Sequence, residues 1–357
     1  MGWLRRQFEL ARGGGGGNIP AMEGMRGVAV GLVFLAHYAI LSRPWLEPGL
    51  ARELGTLVDR GGRVGVDLFF ILSGFLIYGA LLRRARPYGP YVWRRLVRIY
   101  PTFAAVFLLY VVLVFAVPRP DKLPSEAGEA ALMLIGNALL LPGLCDVRPL
   151  NSATWTLSYE MAFYLVIPLL IAGLGLRRRS ATWRVGCAIA VMAAILALQA
   201  PTQLIMFGFG MLAYEAVQAR RGVGPWPALV AAGLALGAAA ALDPDGGLRV
   251  LRFVLIGGAS YVFTLGALGR PDGWLARGLA WTPLRWFGNM SYSYYLIHGL
   301  ALNALAWAVG TLVGGGSYGV VVHLLALPLA FAVTLVPGAL LFLAIERPLS
   351  LRHKSAT

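Results

Sequence analysis

"RGVAVGLVFLAHY", residues 26–38, has the composition of a membrane helix as far as His37, where an ionisable ring interrupts it. Ten apolar or glycine residues separate His37 from Arg26. Eleven positions make about three helical turns, so both side chains lie on nearly the same face, roughly 16 Å apart along the axis. An ionisable group inside a membrane helix is costly and usually marks a functional site. The alternative for His37 is a structural role, as a neutral ring hydrogen-bonded to a neighbouring helix.

The composition of the whole chain is that of a polytopic membrane protein. Of its 357 residues, 58% are hydrophobic and 13% are charged, and the mean hydropathy is +0.70. A soluble protein of this length could not solvate such a surface. The net charge of +15 would indicate nucleic acid in a soluble domain, but here arginines cluster between apolar runs, as the positive-inside rule requires. We therefore expect membrane lipids and no nucleic acid as partners.

Apolar runs of membrane-spanning length predict an all-α bundle of about ten transmembrane helices. The predicted spans are 27–44, 64–82, 99–117, 153–176, 184–200, 202–219, 225–242, 252–269, 286–312 and 318–345. With both termini cytoplasmic, this arrangement places most of the Lys and Arg residues inside. A further span at 130–145 would leave fewer than half of them inside. We therefore predict that 130–145 is a re-entrant or surface-lying helix on the outer side.

This topology divides the chain into three parts. Residues 1–18 are predicted to be a cytoplasmic segment with a glycine run, 19–348 the membrane domain, and 349–357 a cytoplasmic tail. The two cysteines, Cys145 and Cys187, fall near opposite faces of the membrane, so neither a disulfide nor a metal centre is expected.

Further polar side chains fall at a depth comparable with that of His37 in other predicted spans. They are Asp67, Ser73, Glu160, Tyr164, Tyr292 and His298. Two carboxylates, two imidazoles and several hydroxyls favour a polar cavity within the bundle, although each group alone also has a structural interpretation. A carboxylate close to His37 would orient its ring and support proton abstraction.

An arginine cluster opens the third predicted span on the cytoplasmic side. In "YVWRRLVRIYP" (91–101), Arg95 and Arg98 are three residues apart on one helical face, and Arg94 lies beside them. Most arginines in the chain are explained by membrane orientation, but this cluster is denser than orientation needs. Guanidinium groups suit phosphates, so a phosphate-bearing donor from the cytosol is expected.

Five blocks of the sequence, in this order, resemble the acyltransferase-3 family of integral membrane acyltransferases. The blocks are "IPAMEGMRGVAVGLVFLAHY", "GVDLFFILSGFLIYG", "RRLVRIYP", "WTLSYEMAFYLVIPLL" and "NMSYSYYLIHG". The family's arginine–ten residues–histidine motif falls on Arg26 and His37, and its paired arginine motif on Arg95 and Arg98. The resemblance implies a ten-helix bundle in the bacterial inner membrane. It also implies transfer of an acyl group, commonly acetyl from acetyl-CoA, to hydroxyls of carbohydrates or similar acceptors.

The sequence departs from the family pattern at two positions that bear on the site. Glu23 stands where an aspartate is usual before "GMRG", which keeps the charge and changes its reach. Gly299 follows His298 where a proline is frequent, which weakens the assignment of a role to His298.

On this interpretation acyl-CoA is a co-substrate and no cofactor is permanently bound. Arg94, Arg95 and Arg98 hold its phosphates. His37, with Arg26 on the same helix face, acts either as general base or as a transient acyl carrier. Glu160 or Asp67 orients the imidazole or binds the acceptor, and Ser73, Tyr164, Tyr292 and His298 support the site.

The alternative function is a transporter or exporter of a glycan or an acylated intermediate, since intramembrane acids and histidines also serve carriers. No inverted repeat is visible, and a neutral sugar has no use for the arginine cluster. The sequence leaves the acceptor, the acyl chain length and the oligomeric state open.

Overall fold

The computed structural model describes residues 2–10, 19–117, 122–313 and 316–351, and this part of the chain is helical without β-strands. The prediction of an all-α fold is confirmed. The predicted glycine run of the N-terminal segment and the tail beyond residue 351 lie outside the described residues. The helices are α1 (Gly2–Phe8), α2 (Pro20–Ser42), α3 (Leu50–Gly62), α4 (Val64–Arg83), α5 (Tyr88–Ala116), α6 (Ala127–Ala138), α7 (Thr154–Gly173), α8 (Ala181–Ala197), α9 (Ile205–Gln218), α10 (Pro225–Ala241), α11 (Arg249–Leu268), α12 (Trp274–Leu279), α13 (Thr282–Asn289), α14 (Ser291–Val313) and α15 (Val320–Leu341), followed by a π-helical stretch, Phe342–Leu351.

Seven helical stretches of the described chain are long and apolar enough to cross a membrane, so this is an integral membrane protein. They are Pro20–Trp45, Leu50–Arg83, Tyr88–Ala116, Thr154–Gly173, Arg249–Leu268, Ser291–Leu312 and Val320–Leu351. The other three predicted spans coincide with α8, α9 and α10, which have 17, 14 and 17 residues. At about 1.5 Å per residue these helices fall short of a hydrocarbon core of about 30 Å. The count of ten spans therefore stays a prediction.

Helix α6 occupies most of the ambiguous segment 130–145. Its 12 residues cover about 18 Å, which is too short for a span. Asn137, the polar residue of this apolar run, is fully buried. Its side-chain nitrogen donates to the carbonyl oxygens of Met133 and Arg148, and its side-chain oxygen accepts from the backbone N–H of Leu150. Asn137 thus ties the loop after α6 back onto the helix.

The chain forms two compact units. The first comprises Met1–Gly79 and Ala181–Phe342, and the second comprises Ala80–Ser180 and Leu343–Thr357. In the first unit α2 is central and packs against α3, α11, α12, α13, α14 and α15. A buried cluster joins α2 to α14 and α15; its members are Val30, Phe34, Tyr294, Leu302 and Ala330.

Glycines allow the neighbours of α2 to approach its backbone closely. A Cβ on Gly65 would lie 2.2 Å from the carbonyl oxygen of Ala29, and one on Gly27 would lie 2.4 Å from that of Leu284. Small residues at helix contacts are the usual device for close packing in membranes, where the lipid gives little hydrophobic drive for helix association.

The second unit contains α5, α6, α7 and the end of the π-helical stretch. Tyr88 donates a hydrogen bond from its hydroxyl to the carbonyl oxygen of Leu165, which links α5 to α7. Arg98 donates to Glu346 at 2.6 Å, and Glu346 is completely buried. This ion pair fastens α5 to the last described turns of the chain.

We predict that Gly65→Ala destabilises the protein by about 1–3 kcal/mol, because the new methyl group must push α4 away from α2. The midpoint of thermal unfolding in detergent measures this effect. Gly233→Ala is the matched control, since a Cβ on this α10 glycine meets nothing within 4 Å. Equal midpoints for the two variants would contradict the account of close packing.

Candidate active site

The two imidazoles predicted in the bundle are in contact. The His298 Nε2 atom on α14 lies 3.3 Å from the Nδ1 atom of His37 on α2, and the rings meet edge to face with centroids 4.9 Å apart. The ring of Tyr294 stacks on that of His298 at 5.2 Å and 8°. His298 is buried, whereas His37 is half-buried.

Neighbouring carbonyl groups determine where the protons of these rings lie. The Nδ1 atom of His298 is 3.0 Å from the carbonyl oxygens of both Tyr294 and Tyr295. The Nδ1 atom of His37 is 2.9 Å from the carbonyl oxygen of Val33. A carbonyl oxygen only accepts, so both Nδ1 atoms carry the proton in the neutral rings.

This assignment makes the two nitrogens of His37 chemically different. Its Nδ1–H is shared between the Val33 carbonyl oxygen and the lone pair on the Nε2 atom of His298. Its own Nε2 atom keeps a lone pair and makes no hydrogen bond to the described residues. His37 is hydrogen-bonded to a neighbouring helix, as the structural alternative expects, but one basic nitrogen remains free to take a proton.

Arg26 also contacts α14. Its Nη2 atom donates a hydrogen bond at 3.0 Å to the hydroxyl of Ser291, the first residue of that helix. Arg26 and His37 therefore both reach α14 from α2, in agreement with their predicted position on one helix face. Ser73 on α4 and Tyr292 on α14 are half-buried in the same unit.

Asp67 lies in the first turn of α4 and is 5% exposed. Its charge interacts with that of Arg252 on α11, a buried arginine that the sequence analysis passed over. Arg63 and Asp59 were also missed, and both interact electrostatically with His37. Arg63 binds the Asp59 carboxylate in a bidentate manner, at 2.9 and 3.1 Å. Their spacing of four residues, from the last turn of α3 to the residue that follows it, was a signal available in the sequence.

In the second unit, Arg95 lies between two aromatic rings. Its guanidinium carbon is 5.5 Å from the ring centroids of both Tyr91 and Tyr164. Tyr164 donates a hydrogen bond from its hydroxyl to the half-buried carboxylate of Glu160. Arg95 Nε and Tyr91 Oη are buried without a hydrogen-bond partner among the described residues. The predicted role of Glu160 in orienting His37 stays a prediction.

The arginine cluster of this unit is larger than predicted. Burial and the positive charges of Arg94, Arg95 and Arg84 lower the pKa of Arg86, which lies between α4 and α5. Arg84 and Arg86 belong to the arginines that membrane orientation alone would explain in the sequence. Within the described residues Arg94 and Arg95 form no ion pair, whereas Arg98 is paired with Glu346. Arg84, Arg86, Arg94 and Arg95 repel one another, and binding of a polyanion would relieve that repulsion.

No three His, Cys, Asp or Glu side chains of the described residues are grouped as metal ligands would be. Both cysteines are free thiols.

Comparison with known proteins agrees with this architecture. A model for the family described as "Acyltransferase domain" matches residues 19–344. The chain therefore belongs to the acyltransferase-3 family, as the five sequence blocks predicted. No solved structure matches the chain.

Three relatives illustrate the similarity. The protein named acyltransferase MdmB from Streptomyces mycarofaciens is 27% identical over 92% of this chain and 91% of its own length. Peptidoglycan O-acetyltransferase OatA from Listeria monocytogenes is 24% identical over 78% of this chain, which spans 49% of that protein. O-acetyltransferase OatA from Staphylococcus aureus is 30% identical over 43% of this chain and 24% of its own length.

We predict that Arg98→Ala costs about 3 kcal/mol of stability, because it leaves the buried Glu346 carboxylate without its counter-charge. Arg94→Ala, at an exposed position on the same helix, is expected to change stability by less than about 0.5 kcal/mol. Thermal unfolding of the two variants side by side provides the measurement. A loss in Arg94→Ala as large as that in Arg98→Ala would show that the ion pair is not the cause.

Proposed function

We propose that this protein is a membrane-embedded O-acyltransferase. It transfers an acyl group, most simply acetyl, from cytosolic acyl-CoA to a hydroxyl of an extracytoplasmic or membrane-associated carbohydrate or similar acceptor. The observation that carries this proposal is the free Nε2 atom of His37, whose partner nitrogen donates to Val33 and His298. We further propose ten spans with both termini cytoplasmic, in the inner membrane of a bacterium.

The donor binds through its phosphates. Coenzyme A carries a pyrophosphate and a further phosphate, which together are the polyanion that an arginine cluster suits. Arg84, Arg86, Arg94 and Arg95 supply this cluster, and burial together with the charges of the other three lowers the pKa of Arg86. Arg98 takes part alongside its ion pair with Glu346. A carrier of neutral sugars would have no use for this charge, which favours the enzyme over the transporter.

His37 acts on the acceptor hydroxyl. Its Nε2 atom takes the hydroxyl proton while the oxygen attacks the thioester carbon, forming the C–O bond of a tetrahedral intermediate. The C–S bond then breaks, and the thiolate of coenzyme A takes the proton back from the imidazolium. His298 supports this cycle, because its Nε2 lone pair accepts the Nδ1–H of His37 and stabilises the positive ring.

The same nitrogen also suits a two-step route. In that route Nε2 attacks the thioester carbon, and the C–S bond breaks to release the thiolate. The acceptor hydroxyl oxygen then attacks the acyl carbon, the C–N bond to His37 breaks, and the hydroxyl proton passes to water while the thiolate takes one up from water. Acid quenching of the enzyme after brief mixing with radiolabelled acetyl-CoA distinguishes the two routes. Label that remains bound to wild-type protein and is absent from His37→Gln supports the two-step route.

Replacement of His37 tests the function directly. We predict that His37→Gln lowers the transfer of label from acetyl-CoA by about 10²-fold or more, because the basic nitrogen is lost. The control is His323→Gln, because His323 is in the same unit and its Nε2 atom lies 3.2 Å from the carbonyl oxygen of Trp45. Full transfer by a folded His37→Gln protein would refute both routes, and binding of acetyl-CoA without turnover would favour the transporter.

Replacement of His298 tests the hydrogen bond to His37. We predict that His298→Phe lowers transfer by about tenfold or more, because no acceptor remains for the Nδ1–H of His37 beyond Val33. His298→Gln offers a carbonyl oxygen in its place and is expected to recover part of the rate. Equal losses in the two variants, at equal thermal stability, would assign His298 to packing alone.

A further inference from the structure

The loop between α9 and α10 touches the loop between α11 and α12, and both belong to the first unit. A Cβ on Gly222 in the former loop would lie 2.5 Å from the carbonyl oxygen of Gly269 in the latter, and 2.8 Å from the Cγ atom of Arg270. A Cβ on Gly269 would lie 3.3 Å from the carbonyl oxygen of Arg221. Contact between the two backbones therefore brings Arg221 and Arg270 to one edge of this unit.

This edge has an excess of positive charge. Arg220 precedes Arg221, so the two loops together supply three arginines, and all three are exposed. Asp272 is the acidic residue of the two loops and is also exposed. None of these four side chains forms an ion pair with another described residue. Two positive charges are therefore left in excess, with their hydrogen-bond donors directed to the surroundings of the protein.

The backbone of Arg220 indicates that its side chain serves something other than folding. Arg220 has a φ of 57°, in the left-handed region. Its N–H donates to the carbonyl oxygen of Val217, and the N–H of Arg221 donates to that of Ala216, which closes the end of α9. Glycine is the usual residue at this position of a helix end, because a Cβ is strained there. Glycine would therefore serve the fold better than arginine.

Two exposed tryptophans follow these loops and are in contact with each other. Trp226 lies in the first turn of α10 and Trp274 in the first turn of α12. Their ring centroids are 5.5 Å apart, and the residues are 70% and 43% exposed. Indole rings with this exposure are typical of the boundary between hydrocarbon and headgroups, where one side of the ring is apolar and its N–H is hydrated.

Helix α11 indicates the depth of this edge in the membrane. Arg249–Leu268 is one of the stretches that can cross a bilayer, and its 20 residues measure about 30 Å, the thickness of a hydrocarbon core. Arg270 follows the end of this helix by two residues, which places it at the level of the headgroups. The contact between Gly222 and Gly269 brings the other loop to the same level.

We propose that three arginines and two tryptophans of this edge form a binding site for the headgroup of an anionic phospholipid. The residues are Arg220, Arg221, Arg270, Trp226 and Trp274. The guanidinium groups donate hydrogen bonds to the lipid phosphate, and the indole rings lie against the glycerol and the upper part of the acyl chains. A zwitterionic headgroup fits less well, because its own cation is repelled by the excess of arginines. This site is independent of the proposed acyl transfer.

Native mass spectrometry of the full-length protein in detergent, titrated with phosphatidylglycerol or with phosphatidylcholine, tests the proposal. The wild-type protein is expected to bind its first phosphatidylglycerol about tenfold more tightly than its first phosphatidylcholine. In Arg221→Gln/Arg270→Gln the affinity for phosphatidylglycerol is expected to fall about 25-fold, roughly fivefold for each arginine. Arg43→Gln/Arg249→Gln is the matched control, since it removes two exposed arginines elsewhere and is expected to keep the wild-type affinity.

The variant Arg220→Gly separates binding from folding. Its thermal midpoint is expected to equal or exceed that of the wild type, because glycine relieves the left-handed backbone, while its affinity for phosphatidylglycerol falls roughly fivefold. Trp226→Ala is expected to weaken the binding of both lipids alike, because the ring contacts their uncharged parts.

Three results would overturn the proposal. The first is unchanged affinity for phosphatidylglycerol in both Arg220→Gly and the double variant. The second is displacement of the lipid by an equimolar amount of inorganic phosphate, which would show a site for a free anion. The third is crosslinking of a photoactivatable phosphatidylglycerol only to residues outside 219–226 and 269–274, whereas crosslinks within these two segments are the expected result.

Discussion

The hydrogen bond between the imidazoles of His37 and His298 is the constraint on which the proposed chemistry depends. Two carbonyl oxygens of α14 fix the proton of His298, the free lone pair of His298 then accepts the proton of His37, and the remaining nitrogen of His37 is basic as a result. The hydrogen bond between the two rings requires α2 and α14 to be in contact. The buried cluster that includes Phe34 of α2 and Tyr294 of α14 provides that contact.

The two units differ in how many of their arginines are paired with carboxylates. In the first, Arg63 forms an ion pair with Asp59, and both act electrostatically on His37. In the second, the arginines crowd together, and only Arg98 among the described members has a carboxylate partner. An excess of cations suits a phosphorylated ligand.

Much of this was predictable from the sequence, because hydrophobic run length and helical periodicity are local properties. The helical fold and the shared face of Arg26 and His37 followed from them, whereas the exclusion of 130–145 as a span followed from the distribution of Lys and Arg residues. Run length is less exact about where a helix begins: Pro201 precedes a short 3₁₀ turn, Thr202–Leu204, so α9 begins at Ile205. The proton of His298 and the partner of Arg98 depend on atoms brought together by tertiary packing, which spacing along the chain does not encode.

The ion pair between Arg98 and Glu346 also bears on how the chain is handled in the laboratory. Glu346 lies in the last described turns, at an end of the chain where truncations and affinity tags are usually placed. These turns hold α5 through that ion pair and are therefore not dispensable for packing. A truncation before residue 346 would remove the buried carboxylate that binds Arg98 and so would separate α5 from these turns.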